Sequence, residues 1–151
     1  MKLSISFVEP IPKEFSLSAG QQLFAAWQKL EQPHFDGTIV VSFVAETDMK
    51  QLHKQSYGIE KSTDVLSFRY ADSSGDQSAA GEIVICAAVA RRYARVHKLA
   101  VENELLTLLC HGLLHLNDLD HATDQERVIF EEKTRGIMDT IMQESVSLWL
   151  A

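Results

Sequence analysis

Residues 105–121 read Leu-Leu-Thr-Leu-Leu-Cys-His-Gly-Leu-Leu-His-Leu-Asn-Asp-Leu-Asp-His. From Val101 to about Leu116 a helix is expected that is apolar on nearly every side and should therefore be buried. Glu102 and Glu104 fall in its first turn, where the helix dipole favours negative charge. Within it, His111 and His115 stand four residues apart, so their imidazoles leave one face about 40° and one turn from each other. Continuing the helix would carry His121 about 240° around and about 9 Å along the axis, away from that face. Asn117 and Asp118 offer an exit, because both residue types tolerate the left-handed conformation that ends helices. The chain then folds back and brings His121 to the other two. Imidazoles left unsatisfied on so apolar a helix would be costly. Three neutral imidazoles with one open position are instead a known recipe for a catalytic zinc site. An ion with no anionic ligand keeps its full charge, polarises a phosphoryl or carbonyl oxygen and lowers the pKa of bound water toward about 7. Asp120 and Asp124 are placed to orient the ligating rings.

Outward from this helix, the C-terminal side opens on Thr123-Asp124-Gln125-Glu126, the pattern of a capping box, followed by apolar positions at helical spacing (Phe130, Ile137, Met138, Ile141). On the N-terminal side a helix is expected over about Ala87–His97. Before it, Glu82–Cys86 (EIVIC) reads as a buried strand, Ala71–Ala80 as a polar loop and Thr63–Phe68 (TDVLSF) as a short strand. A short helix over about residues 47–56 precedes these. The β-branched run Thr38–Ala45 reads as a central strand. A helix capped by Ser18 and stopped by Pro33 carries Leu23, Phe24, Trp27 and Leu30 on one face, and Ser4–Val8 alternates as a first strand. The expectation is one α+β domain over residues 1–151, a small mixed sheet of about four strands with about five helices and the metal site on the buried central helix.

Composition is that of an ordinary soluble domain, 46% hydrophobic and 23% charged. No apolar run is long enough to span a bilayer, and the N-terminus lacks a signal-peptide pattern, so a cytoplasmic protein with no membrane partner is expected. Cys86 and Cys110 lie in apolar segments with no metal or redox spacing and read as buried free thiols. A net charge of −7 argues against a broad basic face for duplex nucleic acid. The dense basic patch is local: Arg91, Arg95 and Lys98 share one helical face beside Arg92 and His97. It either tracks a phosphate backbone or complements the dipole at a helix end. Tyr70 and Tyr93 are candidates for stacking on bases.

The spacing His-x3-His-x5-His is shared with metzincin proteases, but their general base, a glutamate after the first histidine, is here Gly112. A closer likeness is to the YbeY family, bacterial endoribonucleases linked to ribosomal RNA maturation. HGLLHLNDLDH resembles its His-Gly-x-Leu-His-Leu-x-Gly-Tyr-Asp-His signature, with Asp118 in place of Gly and Leu119 in place of Tyr. TDVLSF (Thr63–Phe68) is similar to its strand of the same sequence, and GEIVIC (Gly81–Cys86) to its Gly-Asp-Ile-Val-Ile-Cys strand. The resemblance covers roughly residues 38–142. It implies a zincin-like fold, one zinc ion on His111, His115 and His121, single-stranded or ribosomal RNA as substrate, and work on the ribosome or its subunits in maturation and quality control.

The family usually has an arginine six residues before the Thr of TDVLSF, and that position is here Tyr57. Such an arginine would neutralise a phosphoryl group in the transition state. Arg69, at the end of the same strand, is the expected catalytic replacement. The alternatives are a non-catalytic ribosome-assembly factor with a structural metal and, less favoured because of Gly112, a zinc metallopeptidase.

Overall fold

The computed structural model describes residues 2–70 and 79–150, with side chains as far as residue 142. Its elements run β1 (Leu3–Phe7), α1 (Leu17–Glu31), β2 (Gly37–Phe43), α2 (Glu46–Tyr57), β3 (Val65–Arg69), β4 (Ala79–Ile85), α3 (Ala87–His97), α4 (Val101–Leu116) and α5 (Asp124–Leu150). The sheet has the order β1-β2-β4-β3. β1, β2 and β4 are parallel, and β3 closes one edge antiparallel to β4. This is the expected α+β arrangement. Among the described residues no helix is long and apolar enough to cross a membrane.

The apolar run Ile83–Cys86 gives no alternation because β4 is covered on both faces. Ile83 and Ile85 join the large core beneath α1, α4 and α5, whereas Val84 and Cys86 join a smaller one with Met49 and Leu52 of α2. β2 alternates instead, sending Ile39, Val41 and Phe43 into the large core. α4 is the central helix, with Leu105, Leu109, Leu113 and Leu114 fully buried. Gly112 sets its distance from the sheet: a Cβ there would lie 2.7 Å from Ile83 Cγ2. Both cysteines are free and buried, and burial pushes the Cys110 thiol up to about 12.

Several boundaries differ from the sequence expectation. The cap of α1 is Ser16, whose hydroxyl accepts from the Ala19 N–H at 3.1 Å, while Ser18 lies inside the helix. β4 begins at Ala79, earlier than Glu82, because the backbone of Ala79–Gly81 pairs with β2, although such small residues carry little strand signal. The expected polar loop over 71–80 lies outside the described residues up to position 78. The capping box holds: Thr123 N–H donates to Glu126 Oε1 and Glu126 N–H to Thr123 Oγ1, both at 3.1 Å.

Candidate active site

α4 ends as its sequence dictates. Asn117 N–H reaches back to Leu114 O at 3.1 Å, Leu119 N–H reaches the same carbonyl at 3.1 Å, and between them Asp118 takes φ 65°. That reversal returns the chain to the face bearing His111 and His115. The three imidazoles gather around Phe130 of α5, with ring centroids 5.0, 5.0 and 5.1 Å from it for His111, His115 and His121. His115 and His121 are 5.1 Å apart. Two imidazoles on one tetrahedral zinc, with Zn–N about 2.0–2.1 Å, have centroids roughly 5 Å apart, so this pair has the right separation.

Protonation also suits ligation. Burial pushes His111 down to about 4, with the neighbouring His115 and His121 adding to the effect. Burial and then His121 lower His115, against the pull of the Leu119 carbonyl and Asp120. Both rings are therefore neutral at pH 7, the state a metal requires. His115 Nδ1 lies 2.9 Å from Leu119 O. A carbonyl only accepts, so Nδ1 carries the proton and Nε2 keeps its lone pair, the arrangement common in ligating histidines. As the rings stand the donors are adjacent but not closed on a point. Among the described residues no group of three or more His, Cys, Asp or Glu side chains is arranged so that it could hold a metal ion.

The histidines lie in a cleft of about 880 Å³. Thr63–Ser67, leading into and along edge strand β3, form one wall, with Tyr57 at the end of α2. Arg127, Phe130 and Glu131 of α5 and the turn Asp118–His121 form the other. Asp64 sits deep in the first wall, and burial raises its carboxyl against the hydrogen bonds from its own N–H, the Val65 N–H and Thr63.

Arg69 is not brought to this cleft. Its Nη1 donates to Leu116 O at 3.2 Å, and its guanidinium lies over the Phe35 ring at 3.7 Å. The last carbonyls of a helix lack intrahelical donors and favour a cation, and α4 ends beside Arg69. The expectation that Arg69 turns toward the metal cleft is corrected accordingly. Nor do the two aspartates orient a ring: Asp120 accepts from the His121 backbone N–H at 2.7 Å, and Asp124 pairs with Arg127 at 3.2 Å. A backbone carbonyl orients His115 instead, for which a sequence holds no sign. The basic patch on α3 is partly neutralised by the pairs Arg91–Glu14 and Arg92–Glu46. Tyr93 stacks on His97 at 4.0 Å, and neither it nor Tyr70 lines the cleft. Sequence reasoning missed Arg127 and Glu131 as cleft residues. Arg127 stands three residues before Phe130 and four before Glu131, but Phe130 reads from the sequence as core, so that spacing gave no sign of a cleft.

A family model described as endoribonuclease YbeY matches residues 9–142. Among curated proteins, the endoribonuclease YbeY of Cupriavidus metallidurans is 30% identical over 126 residues, a match spanning 83% of this chain and 62% of that protein. The endoribonuclease YbeY of Nitrosomonas eutropha is 33% identical over 114 residues, spanning 74% of this chain and 77% of that protein. The solution structure of TM1509 from Thermotoga maritima superposes with a TM-score of 0.62 at 26% identity, covering 96% of this chain and 92% of the other.

Proposed function

The chain belongs to the endoribonuclease YbeY family, and on that footing we propose that it is a metal-dependent, single-strand-specific endoribonuclease of ribosomal RNA maturation and ribosome quality control in the cytoplasm. The observation that carries the reading is the meeting of three imidazoles from α4 and its exit turn around Phe130, at the floor of a cleft open to solvent. His111, His115 and His121 would hold one zinc ion, which supplies a Lewis acid for the phosphodiester when bound. The chain's own contributions are distinct. Leu119 O fixes the tautomer of His115, and burial keeps His111 neutral. The cleft lined by β3 and its approach and by α5 is where one extended strand of RNA would lie. Gly112 faces Ile83 rather than the cleft, so the position that holds the base in metzincins has no room for one here.

Purified protein should contain about one zinc-like ion per chain by elemental analysis and cleave unstructured RNA in a chelator-sensitive manner. His115→Ala should lose most of the metal, because two imidazoles alone bind weakly. Equal metal content in both proteins would refute the three-histidine site. Metal with no cleavage would favour the assembly factor with a structural metal.

A further inference from the structure

The cleft is a poor receptacle for a polyanion by its formal charges. Asp64, Asp118, Asp120 and Glu131 line it, against a single guanidinium, Arg127. Among the described residues no other Lys or Arg lines these walls. Arg127 stands on the exposed face of α5, one turn before Phe130 and therefore one turn from the ring on which all three imidazoles lean. Its only ion pair among the described residues, with Asp124, is solvent-exposed on both sides. Pairs of that kind contribute little and are exchanged readily. The guanidinium is thus held near the site by a weak, replaceable contact.

We propose that Arg127 is the phosphate-gripping residue of the cleft, exchanging Asp124 for a non-bridging phosphate oxygen of single-stranded RNA and seating the backbone along the α5 wall. This rests on the RNA reading of the cleft and assigns the cationic role within it. A guanidinium offers paired donors to a phosphate, and on the wall that also carries Asp118, Asp120 and Glu131 it is the group that offsets their charge. The same placement leaves the bases toward Tyr57, which is exposed on the β3 side.

The test is binding, which does not require a loaded metal site. Fluorescence anisotropy with a labelled 2′-O-methyl oligoribonucleotide, over a series of salt concentrations, compares wild type with Arg127→Ala, Arg127→Lys and Arg95→Ala. Thermal melts confirm that each variant folds. Arg127→Ala should weaken binding roughly ten- to a hundredfold, the usual loss for a charge-assisted hydrogen bond. It should also flatten the log Kd against log salt slope by about 0.7, one phosphate contact on a single strand. Arg127→Lys should recover the slope and part of the affinity, and Arg95→Ala on α3 should match wild type. Wild-type binding with an unchanged Arg127→Ala constant and slope overturns the assignment alone. A slope that falls for Arg95→Ala and not for Arg127→Ala overturns it in favour of the α3 patch. No binding by wild type overturns the RNA reading on which the assignment stands.

Discussion

Replacing Gly112 by alanine tests the contact that couples the sheet to the histidine helix. Alanine is the better helix former by about 1 kcal/mol, so an unconstrained site would be stabilised. Here the new Cβ meets Ile83 Cγ2 at 2.7 Å, Cδ1 at 3.0 Å and Cγ1 at 3.1 Å. Ile83 is fully buried in the middle of β4 and has no open side to turn toward. Overpacking of this kind costs about 1–3 kcal/mol, and three contacts at once put it at the upper end. The net expectation is a loss of about 1–2 kcal/mol, or roughly 2–8 °C in Tm for a chain of this size. Urea unfolding of metal-free protein is the assay, since bound metal would add its own stabilisation. Ile83→Ala alone should cost about 2–5 kcal/mol as a buried large-to-small change. Made on the Gly112→Ala background it should cost less by about 1–3 kcal/mol, because the carbons removed are the ones that clash. Additive effects within about 0.5 kcal/mol, or a Gly112→Ala protein stabilised by the full helix-propensity gain, would refute the close approach of α4 to β4.

Arg69→Ala should lower unfolding free energy by about 1–3 kcal/mol through loss of the bond to Leu116 O and the contact with Phe35, while oligoribonucleotide affinity stays at the wild-type value; an affinity loss with unchanged stability would return Arg69 to the cleft. Glu104 is buried, and burial first and Asp64 second raise its pKa. A carboxyl raised on folding subtracts stability as pH rises through and above the carboxylate range, and subtracts nothing well below it. Glu104→Gln should therefore be more stable than wild type at pH 7 and equal to it near pH 3 by chemical unfolding; a difference independent of pH would contradict this. Tyr57→Ala should weaken single-stranded RNA binding about 5- to 150-fold, the range for one stacked base, with Tyr57→Phe close to wild type in the same anisotropy assay.

What could be read without coordinates was whatever local chemistry determines. The periodicity of residues 101–116 sets a buried helix, two imidazoles four residues apart share its face, and Asn117-Asp118 turn the chain back; Asp118 takes the positive φ that this reversal needs. The box Thr123–Glu126 likewise involves only neighbours in sequence. Family membership was legible for the same reason, since its motifs are short contiguous segments. The charges went the other way. Arg69 and Arg127 are both single cations beside a motif, and nothing within a few residues of either says which one meets the cleft. That depends on where the end of α4 lies relative to β3, and on the docking of α5 against α4. The unsatisfied carbonyl of Leu116 draws in Arg69 from 47 residues away in the chain. Phe130, read from its spacing as core, is core and also the surface on which the three histidines lean. Sequence alone determined the histidine helix and its exit turn, because their causes are local; tertiary packing decided which arginine faces the cleft, because a side chain's partner across the fold is a matter of distance in space.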